Sequence, residues 1–174
     1  MEFNNKKFAS ASILAMSVIL LLSGSGLFFC SVANANDDSR ISAEGAFTAI
    51  IDPFSFTFTS MGNKCLLEVD GVIIFTGTLE GEAPGTTRAL VFATCDEAAS
   101  NPPGTFQDLF RSELEFYGKV NGIETIADMT YQGITEVGGE IKGRMMLSNG
   151  LKGMLKVDAL VVLGGSYTGF LVVK

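Results

Sequence analysis

Three short turn signals limit what this 174-residue chain can fold into. Asp70-Gly71, Asn121-Gly122 and Ser148-Asn149-Gly150 each divide two apolar-rich segments. Asn-Gly and Asp-Gly favour the positive φ of tight hairpin turns, whose twist matches the flanking strands. The flanks also alternate. Leu114, Phe116, Gly118 and Val120 share one face, and Glu113, Glu115, Tyr117 and Lys119 share the other. Ile141, Gly143, Met145 and Leu147 oppose Lys142, Arg144 and Met146, and Leu151, Gly153, Leu155 and Val157 oppose Lys152, Met154, Lys156 and Asp158. One apolar and one wet face is the pattern of an antiparallel sheet.

The turns predict strands at Lys64–Val69, Val72–Glu80, Leu114–Val120, Ile123–Tyr131, Ile141–Leu147 and Leu151–Val157. Further strands are expected at Gly45–Ile51, Phe54–Ser60, Thr86–Thr94, Leu160–Leu163 and Ser166–Val173. Helical periodicity is scarce, and only Phe106–Glu115 is a candidate for a short helical turn. A sheet with this many strands closes on itself or splits into two layers. Glycines inside the strands (Gly77, Gly118, Gly143, Gly153, Gly169) suit the coiling of a small barrel. The expected fold is therefore all-β, a closed antiparallel barrel of about eight strands, with a β-sandwich as the alternative. Asp96–Thr105 is the longest irregular stretch. Its Asn101-Pro102-Pro103-Gly104 run cannot continue a strand, and the stretch is either a surface connection, the commoner case, or a cover over one barrel mouth.

The first residues read as a leader. Lys6 and Lys7 precede an apolar run from Phe8 to Phe29, and Ala33-Asn34-Ala35 offers the small residues that signal peptidase recognises. Cleavage is expected after Ala35, making residues 1–35 a signal peptide and the protein secreted or periplasmic. A retained anchor is one alternative, since the run is long enough to span a bilayer. Lipidation at Cys30 is another, although Phe28 and Phe29 stand where small residues belong. Residues 36–42 read as a flexible new N-terminus and 43–174 as a single barrel domain. The chain carries a net charge of −7, and the leader holds two lysines against Glu2, so the remainder is more acidic still. Nothing in that balance attracts nucleic acid or an anionic membrane surface. Charges alternating along the wet faces argue against membrane insertion.

Cys65 and Cys95 would remain after cleavage, and an oxidising compartment favours one disulfide. A simple meander opposes it. Folding at Asp70-Gly71 would place Cys65 opposite Thr76 and leave Cys95 about 16 Å along the next strand, whereas bridged Cα atoms lie within about 7 Å. A bulge, barrel closure or folded-back loop would be needed to join the pair.

The composition excludes much chemistry. The chain has no histidine, so no Ser-His-Asp or Cys-His arrangement exists, nor a histidine-based zinc or iron site. No phosphate-binding or dinucleotide motif is present, and neither metal nor cofactor is expected. Gly165-Ser166-Tyr167-Thr168 has the wrong spacing for a nucleophile elbow. Glu113 and Glu115 read as the solvated side of a strand, and Glu80 and Glu82 as a solvated hairpin end. Asp128, between Ala127 and Met129, would be a buried acid only if its face is inward. No catalytic residue is assigned. Phe54, Phe56 and Phe58 alternate with hydroxyl residues and form a phenylalanine stripe. Together with Phe75, Phe92 and Phe116 it either fills a core or lines an apolar lumen able to hold a ligand.

Phe75–Glu82 (FTGTLEGE), Phe116–Gly122 (FYGKVNG), Gly150–Gly153 (GLKG) and Gly165–Gly169 (GSYTG) follow in order. This succession resembles uncharacterised bacterial proteins with an allene oxide cyclase-like barrel. The resemblance implies a closed eight-stranded antiparallel barrel that often self-associates, and it implies no reaction, since none of the plant cyclase's catalytic residues can be placed. Three roles follow: a non-enzymatic module for an apolar ligand or assembly, a cyclase- or isomerase-like enzyme working in the lumen, and a structural envelope subunit. The barrel interior discriminates among them. A packed interior favours structure, an empty apolar lumen favours binding, and converging polar groups favour catalysis.

Overall fold

The structure, a computed structural model, describes residues 39–173. The expected leader and its cleavage point lie outside the described residues. Nine strands form one antiparallel sheet: β1 (Ser39–Ile51), β2 (Thr57–Met61), β3 (Lys64–Gly77), β4 (Leu79–Val91), β5 (Asp108–Val120), β6 (Ile123–Thr135), β7 (Glu140–Ser148), β8 (Lys152–Leu160) and β9 (Gly164–Val173). Among the described residues a single short helix, α1 (Cys95–Ser100), lies between β4 and β5. Consecutive strands from β3 to β9 pair with each other, and β1 pairs with both β9 and β3. Eight strands thus close a barrel, and β2 stands outside the ring on the first half of β3.

Period-2 alternation decides which side chains enter the barrel. Phe110, Ser112, Leu114, Phe116 and Val120 of β5 are buried, while Arg111, Glu113, Glu115 and Lys119 face solvent. Met145 and Leu147 of β7 and Leu155 and Val157 of β8 point inward in the same way. Val120 pairs with Ile123, so Asn121 (φ 49°) and Gly122 (φ 82°) form a two-residue loop of the expected kind. Asn149 (φ 52°) and Gly150 (φ 107°) turn β7 into β8.

The structure corrects four local expectations. Asp70-Gly71 is not a turn, because β3 runs straight through it, with Asp70 opposite Thr86 and Gly71 opposite Gly85. Glycine is needed there for a close approach: a Cβ on Gly71 would lie 2.7 Å from the carbonyl oxygen of Ile50. Phe106–Glu115 holds no helix and mostly belongs to β5. The helix instead starts at Cys95, where Thr94 and Glu97 form a reciprocal capping box. Leu160–Leu163 is not a separate strand, since β8 runs to Leu160 and Val162 (φ 57°) sits in the turn that follows. Residues 39–42, expected to be loose, are paired with β9.

The uninterrupted β3 also brings the cysteines together. Cys65 lies opposite Val91, not opposite Thr76. The chain leaves β4 four residues before Cys95 and curls back into α1. The Cα atoms are 4.8 Å apart, and the sulfurs are bonded at 2.00 Å.

Candidate functional site

The barrel has two unequal ends. The turns β3–β4, β5–β6 and β7–β8 close one end, where Phe75, Leu79, Phe116, Tyr167 and Leu171 are fully buried. At the other end, inward side chains become small: Ala49, Gly71, Gly85, Thr87, Ala89 and Ser112. They leave a cavity of about 460 Å³, within the ~300–1,000 Å³ range of ligand sites. Leu67, Val69, Ile73, Val91, Phe110 and Leu114 supply most of its apolar wall.

Chain outside the ring forms the cavity's cover. Ala98 and Ala99 of α1, the run Asn101–Gly104, and Phe106 line it from one side, and Phe56 and Phe58 line it from another. The last two rings stack with centroids 6.1 Å apart. Several links hold the cover down. The Cys65–Cys95 disulfide joins α1 to β3. The Gly138 amide donates to the Gly104 carbonyl at 2.9 Å, and the Gln107 side-chain amide donates to Glu136 at 2.8 Å.

Polar residues also line the cavity. Ser112 and Thr87 bond to each other through their hydroxyls at 2.8 Å. Asp108, the first residue of β5, lies between Val91 and Thr135 in the register. Burial pushes its carboxyl up to about 6, against the opposing pull of a hydrogen bond from Thr135. Its Oδ1 is buried and has no hydrogen-bond partner in the protein. Tyr131 lies between Ser112 and Met145. Its ring meets Phe110 edge-on at 4.8 Å, and its hydroxyl is likewise buried without a partner. Burial raises the Tyr131 phenol, so it stays a neutral donor at physiological pH. The titratable residues lining the cavity are Asp70, Asp108 and Tyr131, and no lysine or arginine lines it among the described residues.

The predicted lumen phenylalanines separate into three groups. Phe56 and Phe58 line the cavity. Phe75 and Phe116 are inside the barrel but packed edge to face at 5.9 Å in its filled half. Phe54 and Phe92 are outside: Phe54 is 96% exposed in the β1–β2 connection, and Phe92 carries the Lys64 ammonium 4.5 Å above its ring. The stripe therefore breaks, because β2 begins only at Thr57. Asp128, Glu113 and Glu115 all face solvent, and Asp128 accepts a hydrogen bond from the Asn149 side chain.

Sequence reasoning missed Asp108 and Tyr131, although a signal existed. Asp108, Phe110 and Ser112 share the parity of Leu114, so carrying that strand's alternation back by three pairs would have turned Asp108 inward. Reading Phe106–Glu115 as helix cut the pattern short. Fold and cavity together define a small closed barrel with a ligand-sized apolar chamber. No protein-family model matches the chain, and no curated protein matches it.

Proposed function

We infer that this is an exported binding barrel that holds a small, uncharged and largely apolar molecule in its half-empty lumen. The observation that carries the reading is the 460 Å³ cavity, apolar in its walls and covered by an anchored segment. Its electrostatics narrow the ligand class. With Asp108 present and no cation among the lining residues, a fatty-acid carboxylate would bury like charges together, which is costly. A neutral molecule with one hydroxyl, amide or carbonyl group suits the two unpartnered atoms, since Asp108 Oδ1 can accept a hydrogen bond and the Tyr131 hydroxyl can donate one.

The leader at residues 1–35 supports a secreted or periplasmic location. The ring of eight strands supports kinship with the allene oxide cyclase-like bacterial group, in which self-association is expected. No nucleic acid and no membrane insertion is proposed for the barrel.

Native mass spectrometry of protein purified from its own cell envelope tests the reading directly. A retained adduct of a few hundred daltons, displaced by the neutral dye N-phenyl-1-naphthylamine, is the expected result. Ala89→Phe should fill the chamber and abolish saturable dye binding while the fold persists. Absence of both adduct and saturable dye binding in the unaltered protein would remove the proposal.

A further inference from the structure

We propose that the cavity is also a proton-transfer site, in which the Asp108 carboxylate removes a proton from a carbon acid and the Tyr131 hydroxyl stabilises the oxyanion that forms. The inference rests on the binding reading above and adds a reaction to it.

Asp108 and Tyr131 both belong to the residues that line the apolar chamber, and each carries a buried polar atom without a partner in the protein. Buried polar groups in a folded protein are nearly always satisfied, so an orphan pair on residues that line one cavity calls for an explanation. Other polar groups of the interior do have partners. The Tyr167 hydroxyl bonds to two backbone groups, and Ser112 bonds to Thr87. Asp108 and Tyr131 remain as one acceptor and one donor. A carboxylate removed from water and free of a neutralising cation is a strengthened base. A neutral phenol in a water-poor site is a suitable donor to developing negative charge.

The substrate class follows from the walls. It is an uncharged, apolar carbonyl compound with an acidic C–H, such as a β,γ-unsaturated ketone. Asp108 Oδ1 takes the α-proton, and the C–H electrons move into the enolate. The enolate oxygen accepts a hydrogen bond from Tyr131. Protonated Asp108 then returns the proton at the γ-carbon, giving the conjugated isomer and restoring the carboxylate. Atoms and electrons balance without a cofactor or co-reactant.

Few charged groups compete around Asp108. Val91 faces it from β4, and Thr135 faces it from β6. Neighbouring Glu136 is engaged by Gln107. In the cover, Glu97 is held by Thr94, Asp96 is exposed, and Asn101–Gly104 carries no ionisable side chain. Asp70, also among the lining residues, accepts from Thr86 at 2.6 Å.

The test uses 5-nitrobenzisoxazole, which needs only a positioned base. The carboxylate takes the ring C–H proton, the N–O bond breaks, and a cyanonitrophenolate is released whose oxygen occupies the oxyanion position. The folded, oxidised protein should eliminate the probe with saturation, at least ~100-fold faster than an equal concentration of acetate. The rate should climb with pH through about 6. Asp108→Asn should fall to background while its far-UV circular dichroism and cooperative thermal unfolding show the barrel intact. Tyr131→Phe should lower the rate about tenfold without moving the pH midpoint. A rate equal to acetate's in a dye-binding protein, or an unchanged rate in Asp108→Asn, would overturn the proposal and leave the binding function standing. If the unaltered protein neither binds dye nor accelerates elimination, both readings fall.

Discussion

Tyr167 and Tyr131 both sit inside the barrel, and they end in opposite circumstances. Tyr167, in the filled half, accepts from the Leu79 amide at 2.9 Å and donates to the Thr76 carbonyl at 3.1 Å. Its hydroxyl ties β9 to the β3–β4 turn, 88 residues away along the chain. Gly45 makes room for it, since a Cβ there would lie 2.4 Å from the hydroxyl and 2.1 Å from the Thr76 oxygen. Tyr131, in the hollow half, packs its ring just as well but leaves its oxygen without a partner. The same residue type is used once as a fastener and once as an open valence. The difference shows how one barrel can devote one end to stability and the other to a ligand.

The most severe break in this division should come from Gly45→Val. The added side chain meets backbone on one side and Tyr167 on the other, and neither can yield without opening the ring. A loss of about 4 kcal/mol or more in urea denaturation is expected. A loss below 1 kcal/mol would show that the filled half is far softer than its packing implies.

Removing the Cys65–Cys95 link by paired serine substitution acts on the hollow half. It releases a loop with a sequence separation of 30, worth about 3–4 kcal/mol in a chain-entropy account. Dye affinity should fall with it, because α1 and the Asn101–Gly104 run lose their anchor. Hydrogen exchange at the closed end should stay slow. Equal loosening at both ends would erase the distinction between the halves.

Asp108 makes the hollow half sensitive to pH. Its folded-state pKa of about 6 lies above the ordinary 3.8. The native state therefore holds more protons than the unfolded chain between those values, and stability declines as pH rises through that window before levelling off. The decline is at most about 3 kcal/mol, reduced by whatever water reaches the carboxyl. Asp108→Asn should remove this slope, and thermal unfolding between pH 4 and 8 reads it. A slope that survives the substitution would have to come from another group.

The smallest effect is also the most direct comparison. Tyr167→Phe strands the Leu79 amide in the core and should cost about 1–3 kcal/mol. Tyr131→Phe removes a hydroxyl that bonds to nothing in the protein, so its effect should lie within about 0.5 kcal/mol of zero or be stabilising. Equal costs for the two would mean that Tyr131 has a partner after all.

Much of the barrel was readable in the chain. The inward faces of β5, β7 and β8 follow directly from alternation at Leu114–Val120, Ile141–Leu147 and Leu151–Val157, and Asn121-Gly122 marks its hairpin. Two local signals misled. Asp70-Gly71 has the composition of a turn but serves a crossing, because β3 must contact β2, β1 and β4 along one unbroken length. Thr94-x-x-Glu97 is a legible capping box that the prolines downstream obscured. The candidate site was less accessible, since Phe54 and Phe92 obey the alternation rule yet end outside the ring.

What the sequence by itself determined is the period of two, the tight turns and hence an antiparallel sheet that has to curl. Those are local properties, set by each residue and its near neighbours. Only the tertiary structure decided that the ring closes through β1 onto both β3 and β9, that Cys65 reaches Cys95, and that one end is filled and the other hollow. These outcomes depend on register between distant strands and on the summed volume of side chains meeting at the axis. Neither quantity belongs to any single stretch of chain.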